Sequence, residues 1–171
     1  MKSALLLTIA SVTMLVACGQ DDKSKRPSPP AQARETLASG AVITIDYSQP
    51  SVKGRTIGKD LEPMAGKVWR TGANEATVFE VSKDVKVEGK DLPAGKYALF
   101  TIANEDEWTI IFNKNPKQWG AYDYKESEDA LRVKVKPAKA ETFAEKMTFV
   151  VDKNGTVSLL WGDRKVDFKV V

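Results

Sequence analysis

MTFVVDKNGTVSLLW, residues 147–161, reads as two strands joined by a tight turn. Met147, Phe149 and Val151 recur at every second position before Asp152-Lys153-Asn154-Gly155, and Val157, Leu159 and Trp161 do so after it. A period of two gathers one set of side chains on one face, the mark of a half-buried strand. Asn-Gly is a strong hairpin signal, because both residues tolerate positive φ.

The same period runs outward from this hairpin. Val166, Phe168 and Val170 close the chain; Leu131, Val133 and Val135 alternate with Arg132, Lys134 and Lys136. Upstream, Trp108, Ile110 and Phe112, then Thr77, Phe79 and Val81, then Ile43, Ile45 and Tyr47 repeat the pattern. Tyr97 to Ile102 is apolar on both faces, which predicts a central strand after a turn at Leu92-Pro93-Ala94-Gly95. Residues 58–66 and 115–130 break the alternation, and no amphipathic helix longer than two turns stands out. About nine or ten short strands with regular turns predict an all-β domain. An antiparallel β-sandwich, jelly-roll or Greek-key-like, is preferred to a barrel.

The first forty residues have another character. Lys2 precedes a charge-free apolar run from Ala4 to Ala17, the length of a signal-peptide core and too short to span a membrane. Leu15-Val16-Ala17-Cys18 resembles the bacterial lipobox, in which the cysteine is acylated and becomes the new N-terminus. That predicts a signal peptide over 1–17, a lipid anchor on Cys18, and a membrane partner in the bacterial cell envelope. Gly19 resembles an outer-membrane sorting signal, with the periplasmic or surface face left open. Residues 18–40 carry Pro27, Pro29, Pro30 and many polar residues, and read as a flexible tether with one possible helical turn near 33–39. The folded domain is then expected over 41–171.

Absences limit the chemistry. There is no histidine, and Cys18 is the one cysteine. Ser-His-Asp triads, Cys-His dyads and histidine zinc sites are excluded. Glycine-rich nucleotide cradles are missing too. No cofactor and no metal site are expected. A net charge of +3 over 171 residues carries no nucleic-acid footprint. Asp123, Glu126, Glu128 and Asp129 could serve a hard cation or an acid/base glycan hydrolase, but calcium-loop spacing is absent and a solvated loop suffices. Trp119, Tyr122 and Tyr124 form an aromatic loop that could stack on a sugar. Alternatively, Trp119 plugs the end of the sandwich and Tyr124 satisfies a backbone carbonyl.

The least ordinary stretch is VWRTGANEATVFEV, residues 68–81. Trp69 belongs in the core, Gly72 suits positive φ, Asn74 suits an Asx turn, and Arg70 can pair with Glu75 or Asp46. The competing reading makes Arg55, Arg70 and Arg132 a cationic pocket for a carboxylate or phosphate, oriented by Asn74. The order YSQPSVKGRTIG, VWRTGANEAT, LPAGKYALFTI, WTIIFNK and LRVKV resembles the secreted bacterial domain of unknown function known as family 2911. The resemblance spans about Ile43 to Val170 and implies no activity, cofactor or catalytic residue. The expectation is a lipid-anchored, non-enzymatic binding module for a small envelope molecule, glycan or protein partner. A glycan hydrolase and a structural subunit of an envelope complex are the alternatives.

Overall fold

The computed structural model describes residues 22–171. The signal segment 1–17 and the lipidation position Cys18 lie outside the described residues. One sheet contains β1 (Pro30–Thr36), β2 (Val42–Ser48), β4 (Thr77–Val81), β7 (Gly95–Ala103), β8 (Trp108–Asn113) and β9 (Asp129–Val135), in that spatial order. The short β3 (Val68–Trp69) pairs with the far end of β7. Two long strands, β10 (Pro137–Val151) and β11 (Thr156–Lys169), form a separate hairpin, and β5 (Val85–Val87) with β6 (Lys90–Leu92) form a small ribbon.

The arrangement is an all-β sandwich. Phe79, Leu99 and Phe112 from one face of the large sheet join Phe149, Trp161 and Phe168 of the hairpin in a single core. The Phe79, Phe112 and Phe168 rings pack edge-on or tilted within 6.3 Å of one another. Apart from β3, the strands of the large sheet follow chain order. β7 is central, as its two-sided apolar run requires, with five consecutive buried residues. Its outer face, Ala98 and Phe100, is covered by the 115–128 segment, where Tyr124 stacks edge-on to Phe100 at 5.0 Å.

Three expectations are corrected. β10 and β11 are 15 and 14 residues long rather than short, and Gly162 at φ +63 carries β11 through what read as two strands. The hairpin turn uses positive φ only at Gly155, so it fits a type I turn closed by a left-handed glycine. Residues 30–36, read as tether with a helical turn nearby, form edge strand β1. Ala31 and Ala33 pack on the core, while Gln32 and Arg34 bond the side chains facing them, Asp46 at 2.7 Å and Thr44 at 3.2 Å. Pro30 starts the strand, where a missing N–H costs no ladder bond. Among the described residues no helix is long and apolar enough to cross a membrane.

Candidate functional site

β3 and β4 occupy the same edge of β7: Trp69 faces Thr101 and Thr77 faces Leu99. Residues 70–76 leave the ladder between them as a seven-residue loop pinned from inside. The Trp69 indole donates to Gly72 O at 3.0 Å. The Thr77 hydroxyl donates to Thr71 O at 2.7 Å, and the Thr71 hydroxyl meets that of Thr101 at 3.2 Å. All three threonines are buried, and this bonding satisfies groups that would otherwise be costly to desolvate. The positive φ values fall on Thr71 (φ 51) and Asn74 (φ 56), not on Gly72 as expected. Glycine is required at 72 because a Cβ there would lie 2.9 Å from Thr77 Oγ1 and 3.2 Å from Ser48 O.

The loop's polar residues are held by the segment before β1. Arg26 donates to both Glu75 oxygens at 3.0 Å, and Lys23 reaches Glu75 at 2.9 Å. The Asn74 amide donates to Ser28 O at 3.1 Å rather than closing a local Asx turn. Arg26 also lies over the Trp119 ring, 5.8 Å from its centre. Burial alone would raise the Glu75 pKa; the Lys23 and Arg26 bonds outweigh it and hold the carboxyl at about 2.

The cationic pocket is not assembled. Arg55 spends its guanidinium on its own loop, donating to Val52 O at 3.1 Å and Ser51 O at 2.6 Å. Arg132 is bound to Asp129 at 2.6 Å, to Glu126 at 3.1 Å, and to the Tyr124 hydroxyl. That hydroxyl donates to Asp129 at 2.7 Å, not to a backbone carbonyl. Burial pushes the Tyr124 phenol up to about 12, reinforced by Asp129 and opposed by Arg132. Trp119 is half exposed and does not plug the sandwich, while Tyr122 is 86% exposed. Arg70 pairs with neither expected acid: Glu75 belongs to Arg26 and Lys23, and Asp46 to Gln32. Among the described residues Arg70 forms no ion pair, and its buried Nε has no acceptor.

A cleft of about 600 Å³ opens elsewhere, between the β7–β8 connection, the 57–65 loop and the base of the hairpin. The Trp161 indole donates to Glu62 O at 2.8 Å and ties that loop to the hairpin. Ile57, Pro63, Ala103 and Pro137 give the cleft apolar wall, and Lys139 and Arg164 give it two cations. These cations stand directly opposite each other in the β10–β11 ladder. Like charges so placed repel. Among the described residues neither makes an ion pair, although Glu105 and Asp163 also line the cleft. Two smaller cavities, about 310 and 410 Å³, lie beside Glu75 and beside Asp91. Asp123, Glu126, Glu128 and Asp129 line none of the three. No cluster of acidic residues able to hold a metal occurs among the described residues.

A family model described as a protein of unknown function, DUF2911, matches residues 28–170. The chain belongs to the DUF2911 family. The matched span takes in β1 as well as the sandwich, in keeping with a fold that starts before residue 41. No curated protein and no solved structure matches the chain.

In this DUF2911 chain the strap of residues 22–29 is fastened to the corner chiefly through Glu75. The carboxyl sits at about 2 when folded against an ordinary 4.5, so the tie is intact at neutral pH. It weakens as pH falls below 4.5 and is lost as pH approaches 2. Glu75→Gln is expected to free the strap at pH 7. Hydrogen exchange at the Arg26 and Gln49 amides, which donate to Lys23 O and Pro29 O, reads this, with faster exchange expected and the β7 amides unchanged. Protection equal to the parent chain's would contradict it.

Sequence reasoning missed the cleft. No local pattern singles out Lys139 or Arg164, and only the long, bulged hairpin brings them opposite each other. The available signal was the break in alternation over 58–66, which supplies one wall.

Proposed function

We propose that this DUF2911 chain is a lipid-anchored protein of the bacterial envelope whose sandwich is a non-enzymatic binding module for a small organic anion. The Lys139–Arg164 pair facing the 600 Å³ cleft carries this reading. Two like charges held opposite each other, neither in an ion pair among the described residues, are relieved by an anion placed between them. The cleft's volume suits a small ligand, and its apolar wall suits a ligand with a hydrocarbon body. The envelope location rests on the signal-like run over 1–17 and on Cys18. A hydrolase reading has less support, because Asp129 is consumed by Asn113, Tyr124 and Arg132.

A thermal-shift screen of the chain from residue 18 on, with Cys18→Ser to keep it in solution, tests the module. A carboxylate or phosphate ligand at 100 times its dissociation constant should add about 2.7 kcal/mol of stability. Arg164→Ala should abolish the gain. No shift with any anion, or a shift unchanged by Arg164→Ala, would remove the cleft from consideration. For the anchor, Cys18→Ser should abolish labelling by a fatty-acid analogue; persistent labelling would refute it.

A further inference from the structure

A second site stands on the outer face of the large sheet, independent of the cleft. Trp69 turns its ring into the core, and its strand neighbour Val68 packs on the opposite face. Val68 and Ile102, paired across β3 and β7, join Ala121 and Tyr124 in the apolar cluster there. Arg70, two residues past Val68, is half buried and within electrostatic reach of Glu62 and Tyr122. Its Nε–H is buried without an acceptor, and no carboxylate of the described residues forms an ion pair with it. Burial lowers its pKa, with Glu62 and Tyr122 opposing, but a guanidinium remains charged at any physiological pH. The chain therefore holds a partly desolvated cation with spare donors in a planar fork, the geometry that takes a carboxylate two-pronged.

The neighbouring aromatic adds the second half of the site. Tyr122 is 86% exposed, yet its ring is placed rather than loose. A Cβ at Gly120 would meet Tyr122 Cε2 at 3.0 Å and Cδ2 at 3.1 Å, so the ring lies against the Gly120 backbone. Gly120 N–H in turn donates to Asn74 O at 3.0 Å, which fixes this platform to the loop that carries Arg70. An exposed ring backed by glycine presents an open face for the C–H surface of a flat ligand. The Nε–H thus has no acceptor among the described residues, and the ring's outer face is open.

We infer that Arg70 and Tyr122 form a binding site for a carboxylate-bearing sugar, with Arg70 forked on the carboxylate and Tyr122 stacked on the pyranose face. The acid group supplies the missing acceptor, and the ring supplies area and orientation. Free carboxylates lack the stacked face, and neutral sugars lack the charge, so neither makes both contacts.

Calorimetry on the chain from residue 18 on, carrying Cys18→Ser, tests the site with three probes: a galacturonate oligomer, a maltooligosaccharide of equal length, and propionate. The galacturonate oligomer is expected to bind, and the other two to bind at least about tenfold more weakly. Arg70→Lys, which keeps the charge but loses the fork, and Tyr122→Ala, at an exposed position, should each weaken it by roughly tenfold. Arg164→Ala, in the cleft, should leave it unchanged. The assignment is overturned if the galacturonate oligomer does not bind, if maltooligosaccharide or propionate binds equally well, or if both Arg70→Lys and Tyr122→Ala bind like the parent. Loss of binding on Arg164→Ala alone would overturn it as well, by moving the sugar to the cleft.

Discussion

Trp69→Ala is expected to destabilise the domain by about 3–5 kcal/mol, the range for emptying a packed aromatic site. The indole is 2% exposed, sits in the main core and makes the bond that closes the 70–76 loop on Gly72. Its removal therefore opens a cavity and leaves the Gly72 carbonyl without its donor. Trp69→Phe separates the two effects, because it keeps most of the volume and loses only the hydrogen bond, at about 1–3 kcal/mol. Chemical unfolding followed by circular dichroism measures both. A loss below about 1 kcal/mol for Trp69→Ala would mean that the corner is not anchored through its indole.

Gly155→Val is expected to cost about 3 kcal/mol or more, from a strained backbone and an overpacked contact together. Gly155 sits at φ +87, and a Cβ there would be 1.8 Å from Val170 O. The same residue accepts from Val170 N–H at 2.8 Å, so the hairpin turn and the segment just after β11 meet backbone to backbone. Asn154→Ala is the control. Asn154 is exposed and does not adopt positive φ, so its replacement should change stability by no more than about 0.5 kcal/mol. Equal losses at the two positions, read from melting curves, would mean that the turn needs positive φ at Asn154 as well.

The Asn154-Gly155 hairpin and the alternating runs were legible because period-two burial is a local property of the chain. The β4 pattern of buried Thr77, Phe79 and Val81 is the plainest case. β1 was not legible, since Ala31 and Ala33 bury little surface and have weak strand preference. Their strand forms because β2 offers a partner, with Gln32 set opposite Asp46. The corner was half legible: Trp69 is core as its size demands, but Gly72 is small for contact rather than for φ. Glu75 found its cations in the strap, 49 residues away from Arg26 in sequence, which no local rule supplies. The cleft depends on register between distant strands, and a lysine and an arginine 25 positions apart carry no sign of facing each other.

Anion binding at the Lys139–Arg164 pair is the central claim, and amide chemical-shift mapping of the lipid-free chain during titration with small organic carboxylates tests it most directly. Saturable shifts should gather at Asn104, Glu105, Lys139, Asp163 and Arg164, and vanish in Lys139→Ala/Arg164→Ala. Saturable shifts confined to other surfaces, or none up to millimolar ligand, would contradict a binding role for the cleft.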